Sequence, residues 1–284
     1  MKSSFTAMIQ KNAIAIIVII QLFFTTLSFA TNTSIHKGDV DDELITLKIE
    51  TGEVTPENSA PNGYALIWSD EFDTDGAVNS EKWYHQTQLI AGSAWANGEL
   101  QHYTNRTDNS FVENGALMIV AKRESFTDQG FTKEYTSARL NSKVAFTYGR
   151  VDVRAKLPQG DGTWPAIWTL GTNINETGGY WNDNVDQVNW PACGEIDIME
   201  HWGNAPNVIH GSLHTPSSFG ATVNTGTIDG DNVSNTFHVY SMIWDENQIQ
   251  FLMDEVPFYT YNPTEKNAST WPFDKPQYLL LNIA

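Results

Sequence analysis

The sequence predicts an all-β protein, a β-sandwich of two packed antiparallel sheets. Three observations lead there. Short runs that alternate apolar and polar residues recur along the chain, bounded by Gly, Asn, Asp or Pro. No window combines a 3.6-residue apolar period with helix caps. From Asn62 onward the composition is uniformly rich in aromatics, Gly and Asn, without an internal repeat, and long enough for one large core.

The elements follow in chain order. Lys2 and Lys11 are the only charges before an apolar run over 13–27, and Ser28-Phe29-Ala30 offers small residues at the −3 and −1 positions. Residues 1–30 therefore read as a secretory signal peptide cut after Ala30. The run is short for a spanning helix. Residues 31–61 are polar and acidic, with Asp39, Asp41, Asp42 and Glu43 clustered, and form a lead-in in which ELITLKIE could make an isolated strand. Residues 62–284 form the domain. Its predicted strands include YALIW (64–68), ALMIVAKRE (116–124), RVDVRAKL (150–157), FHVYSMIW (237–244) and QIQFLMD (248–254). RVDVRAKL alternates cleanly, placing Arg150, Asp152, Arg154 and Lys156 outward and Val151, Val153, Ala155 and Leu157 inward.

Charge narrows the function classes. The net charge is −18, and removing residues 1–30 takes away two lysines and no acids, giving −20. Such a chain is a poor partner for nucleic acid or anionic membrane. The lone Cys193 excludes an internal disulfide, so a soluble bacterial protein, secreted or periplasmic, is the economical reading. Cys193 itself reads as a packed thiol.

One stretch departs from the strand rule. In GEIDIMEHWG (194–203), Glu195 and Asp197 share one face and Ile196 and Ile198 the other, but Glu200 arrives on the isoleucine parity. Glu200 joins the other acids only if a β-bulge near Ile198–Met199 inserts one extra residue. Glu195 and Glu200 then lie about 13 Å apart at Cα, and leaning side chains bring their carboxyls to about 5–6 Å, the range retaining glycosidases use. Three carboxyls so close cannot all ionise cheaply, so one holds a proton and supplies a general acid. A solvated strand face or a calcium site competes. The flanking Trp190 and Trp202 argue against the first, and the lack of a loop of Asp, Asn and carbonyl oxygens against the second.

WPACGEIDIMEHWG resembles the active-site signature of glycoside hydrolase family 16, in the E-x-D-x-x-E form typical of laminarinases, which are endo-β-1,3-glucanases. The resemblance extends over most of 64–284 through LIWSDEFD, NGELQHYT, TSARLNSK, YGRVDVRAKLPQGDGTWPAIWTLG, HGSLHT, FHVYSMIW and WPFDKPQYLLLNIA. It implies a β-jelly-roll whose concave face is a sugar-binding cleft. It makes Glu195 the nucleophile, Asp197 the assisting aspartate and Glu200 the acid/base of a retaining hydrolase, with a β-glucan as partner, no catalytic cofactor and a monomeric state. Relatives usually continue past LLLNIA, so the resemblance also implies missing C-terminal strands, an unpaired edge at QYLLLNIA and a structural calcium. Glu71 and the Gly115 carbonyl are its two candidate ligands.

Further cleft residues follow from parity together with that resemblance. Trp164 and Trp168 share a strand face about 13 Å apart, and indoles are good platforms for sugar C–H faces. Arg139 lies opposite Ala138 and Leu140 and can donate to hydroxyls. Ser212 and His214 share the polar parity of HGSLHT, and His214 matches a substrate-side histidine. Asn97 matches a loop asparagine that binds distal sugars, or is an Asn-Gly turn residue. His201 follows the acid/base directly and is a further candidate. Competing readings are a mixed-linkage β-1,3-1,4-glucanase, an agarase-like galactanase, or a non-catalytic β-glucan-binding lectin on the same fold. The bulged spacing disfavours the mixed-linkage enzymes, which usually show E-x-D-x-E.

Overall fold

The computed structural model describes residues 15–19, 45–50, 61, 63–184 and 186–284. Two sheets make up the described chain, one of eleven strands and one of seven. The seven-stranded sheet runs Thr225–Asp229, Val208–His214, Glu195–Glu200, Pro165–Gly171, Gln277–Ile283, Arg139–Phe146, Trp83–His85. Every pairing in it is antiparallel. The larger sheet is built around Gly149–Lys156, His238–Trp244, Ile249–Met253 and Ala116–Asp128. All five strands named from the sequence occur within a few residues of their expected bounds.

Alternation produces the layers. Ile167, Ile196, Ile198, Met199, Leu213, Leu279 and Leu281 of the smaller sheet meet Leu117, Ile119, Val151, Val153, Tyr240, Met242 and Phe251 of the larger in one buried cluster. Burying a side chain of this size contributes about 1.5–3 kcal/mol relative to exposure. With the apolar faces turned inward, the smaller sheet presents its polar parity outward, and the site lies there.

Three expectations need adjustment. Gln277–Ile283 is no edge strand: it pairs on both sides, with Pro165–Gly171 and Arg139–Phe146, and all seven of its residues are buried. Among the described residues, large apolar side chains are exposed elsewhere, at Leu66, Ile67, Leu100, Val223 and Val256 among others. Arg150 and Asp152 point outward as predicted but are buried, because Arg150 pairs with Asp152 at 2.8 Å and with Glu255, while Ser241 donates to Asp152 at 2.6 Å. Ile45–Glu50, inside the presumed lead-in, pairs with Ala116–Asp128 and with Ala155–Lys156, so it belongs to the sandwich. Ala15–Ile19 pairs in parallel with Gly149–Lys156 and Tyr64–Trp68. The remainder of the signal segment, its cleavage point and most of 31–61 lie outside the described residues.

Candidate active site

The bulge is present. Asp197 pairs with Ser212 and Glu200 with His210, so three steps on one strand oppose two on the other. On the far side the register also slips, between Trp168↔Asp197 and Ile167↔Met199. Ile198 and Met199 are consecutive yet both wholly buried in the core. That double inward placement is what returns Glu200 to the face of Glu195 and Asp197.

All three acids line a cavity of about 560 Å³ that crosses the strands from Thr225 to Arg139 and Asn97. Five strand spacings over that distance give a groove of about 24 Å. Each glutamate meets an indole: Trp190 Nε1 donates to Glu195 Oε2 at 3.0 Å, and Trp164 Nε1 donates to Glu200 Oε1 at 3.0 Å. His214 Nε2 lies 3.2 Å from Asp197 Oδ2 and 3.5 Å from Glu195 Oε1. Its Nδ1 accepts the Gly220 backbone N–H at 3.1 Å, which leaves the neutral ring's hydrogen on Nε2, facing the carboxyls.

Burial dominates the electrostatics. It pushes Glu195 well above the usual glutamate range, assisted by Asp197 and opposed by His214. Asp197 is raised well above its usual range by burial and then by Glu200. Glu200 is raised by burial against the pull of His214, Trp164 and Ser212. The cluster therefore titrates as a unit and retains protons at pH values where isolated carboxyls are ionised.

Other predicted residues divide. Trp164 lines the cleft, and its ring stacks on Trp202 at 5.7 Å, so one indole face is already used. Trp168 lines it too, donating to Asn282 Oδ1 at 2.7 Å, with the Arg139 guanidinium 4.7 Å from its ring centroid. Asn97 fits both of its readings: φ is +58° in an exposed turn, and the residue lines the cavity. His214 is where parity placed it.

Arg139 reaches the cavity wall but is not a spare donor. Its Nη2 binds Glu176 at 2.9 and 3.1 Å, its Nε binds Gln86 Oε1 at 3.0 Å, and only 5% of its side chain is exposed. It braces Trp168 and Trp95 from between their rings. His201 does not reach the cleft: it is 1% exposed, its ring Nδ1 donates to the Val208 carbonyl at 3.1 Å, and burial lowers its pKa. Counting parity onward from Glu200 turns residue 201 inward and Trp202 outward, and Trp202 lines the cavity. Glu99 also lines it, raised in pKa by burial and accepting from Tyr103 at 3.1 Å.

Glu71 and the Gly115 carbonyl would supply two of the six to eight oxygens that calcium takes. Among the described residues one cluster of three His, Cys, Asp or Glu ligand atoms lies within 4.8 Å, formed by Glu195, Asp197 and His214. Cys193 is buried, and burial pushes its thiol up out of the nucleophilic range.

A groove crossing a β-sheet, with a close set of acids on one strand and indoles lining it, defines a glycosidase of the β-sandwich class. The chain belongs to the glycosyl hydrolases family 16, whose profile matches residues 97–284. A β-glucanase of Rhodothermus marinus is 40% identical over 238 residues, 80% of this chain and 77% of its own. Glucan endo-1,3-β-glucosidase A1 of Niallia circulans is 35% identical over 281 residues, 92% of this chain but 39% of that longer protein. The crystal structure of a LamA variant from Z. galactanivorans, in complex with laminaritriose and laminaritetraose, superposes with a TM-score of 0.71 at 46% identity, covering 77% of this chain and 87% of that one. The sandwich is thus the jelly roll of its family.

Proposed function

We propose that this protein is an exported, monomeric endo-β-1,3-glucanase that cleaves laminarin-like glucans with retention of configuration. The observation that carries the reading is the bulged strand, which brings Glu195, Asp197 and Glu200 onto the floor of a groove long enough for four to five sugar units. The relatives' glucanase names and the bound laminari-oligosaccharides of the LamA variant support the substrate. Export rests on the N-terminal apolar run and its small-residue cleavage site.

In the proposed reaction Glu200 gives its proton to the glycosidic oxygen while Glu195 attacks the anomeric carbon. Burial raises the Glu200 carboxyl, which suits it to hold that proton above the ordinary glutamate range. Trp190 donates to one Glu195 oxygen and His214 Nε2 lies 3.5 Å from the other, and both favour its anion during attack. Glu200, now ionised, deprotonates the water that releases the sugar. Asp197, between them and 3.2 Å from His214, keeps the two glutamates distinct. Laminarin, lichenan and agarose assayed side by side for new reducing ends test the reading. Fast release from laminarin alone supports it; faster cleavage of agarose or lichenan, or tight laminarin binding without products, contradicts it.

A further inference from the structure

Trp190 poses a positional problem. It lies outside the strands, is 40% exposed, and yet aims its Nε1 at Glu195 Oε2. Two rings hold it: Phe219 meets it edge-on at 5.4 Å and 83°, and His214 lies 5.7 Å away. Phe219 is itself 52% exposed, so it contributes little to the core. The next residue, Gly220, donates the backbone N–H that fixes the His214 ring. Two consecutive residues of one loop thus restrain the two groups that touch the oxygens of Glu195.

The loop is built to stay put. Thr215 and Ser218 exchange backbone hydrogen bonds at 2.9 and 3.0 Å. Thr222 Oγ1 donates to the Leu213 carbonyl at 2.9 Å, and Val223 N–H to Ser218 Oγ at 3.0 Å. Gly220 has φ +65°, the left-handed region that favours glycine, and this turn aims its N–H at His214.

We propose that the loop over residues 215–224 is a positioning device for Glu195, and that Phe219 is a positioning residue acting on that carboxylate through Trp190. The proposal rests on the glycosidase reading of Glu195. Without Phe219 the indole is free to rotate, and the anion of Glu195 loses a directed donor. The titratable groups facing Glu195 are Asp197 and Glu200 on its strand, Cys193 before it, His214 across the ladder and Tyr278 on Gln277–Ile283. None belongs to the loop, so changing Phe219 leaves all of them in place.

The test uses the full chain with Phe219→Ala, Phe219→Tyr, Trp190→Phe and the double variant Phe219→Ala/Trp190→Phe. Laminarin kinetics across pH are paired with a ¹³C NMR titration of the Glu195 carboxyl, assigned with Glu195→Gln. For Phe219→Ala the expected result is an unchanged Tm and a kcat lower by about tenfold, the effect of one misdirected hydrogen bond. The acidic limb and the Glu195 midpoint should both move to higher pH. Phe219→Tyr should restore both, and Phe219→Ala should add nothing in the Trp190→Phe background. Unchanged kcat and midpoint in Phe219→Ala, or losses that multiply in the double variant, would overturn the proposal. A wild-type protein that leaves laminarin intact contradicts the glucanase reading instead, and the NMR midpoints still decide the role of the loop.

Discussion

Deleting Met199 should leave a folded protein, whereas inserting one residue beside it should not. In the native ladder Ile198 and Met199 both enter the core, and this is what places Glu200 in the cleft. Deletion produces E-I-D-I-E, a regular strand in which Ile198 still faces inward and the last glutamate regains cleft parity. The cost is one buried methionine, about 2–5 kcal/mol by analogy with large-to-small core changes, part of it offset by a repaired ladder. Typical domain stability is about 5–15 kcal/mol, so a cooperative transition should survive. Tm should drop by about 4–20 °C, at about 2–4 °C per kcal/mol for this size. After insertion the strand either keeps its bulge, which turns Glu200 onto the core face as an unpaired carboxylate, or becomes regular, which turns Met199 out into the cleft and carries Glu200 about 7 Å farther from Asp197. Calorimetry of both purified variants, with laminarin hydrolysis as second readout, decides the matter. Equal losses of Tm and activity in the two would refute the parity reasoning.

Glu195→Gln should lower kcat on laminarin by at least ~10³-fold, about 4 kcal/mol of barrier, while oligosaccharide affinity measured by calorimetry stays near wild type. Asp197→Asn should cost less. The same Glu195→Gln change should stabilise the fold in a pH-dependent way. Burial raises the native pKa of Glu195, so its favourable contribution is complete below the ordinary glutamate range and is lost as pH climbs through the raised value. Thermal melts should therefore show little gain at pH 3 and a clear gain near pH 7; a gain confined to acid pH would reverse the sign. Arg139→Ala should destabilise by about 2–4 kcal/mol, because it leaves the largely covered Glu176 without its counter-charge, with only Gln86 still donating to it. Chemical denaturation should show Arg139→Met/Glu176→Leu recovering much of that loss, while laminarin KM stays raised because Trp168 has lost its brace.

The site was legible where chemistry follows local parity. Glu200 on the wrong face required a bulge, and the bulge is there. Trp164, Trp168 and His214 followed from alternation together with the family resemblance, and all three line the cavity. Contacts between distant segments were not legible. Arg139 has cleft parity, but Glu176, far along the chain, claims its guanidinium before any sugar could. The sequence neighbour of Glu200 proved less informative than its parity partner: His201 turns inward and Trp202 lines the groove. The edge expected at Gln277–Ile283 failed for a related reason. An apolar strand read alone does not reveal how many neighbours it has, and this one lies in the middle of its sheet. Ile45–Glu50 looked isolated because its partners are more than sixty residues away in sequence. The fold class needed only the period of the strands, which is local and therefore readable.

The central claim is that Glu195 and Glu200 act as nucleophile and acid/base on a β-1,3-glucan. Proton NMR of laminarin in the first minutes of digestion, before mutarotation mixes the anomers, tests it most directly. Double displacement by two close carboxyls predicts that the new reducing ends appear first as the β-anomer. Initial accumulation of the α-anomer would mean that a water fits between the two glutamates, and would contradict the assignment of Glu195 as nucleophile.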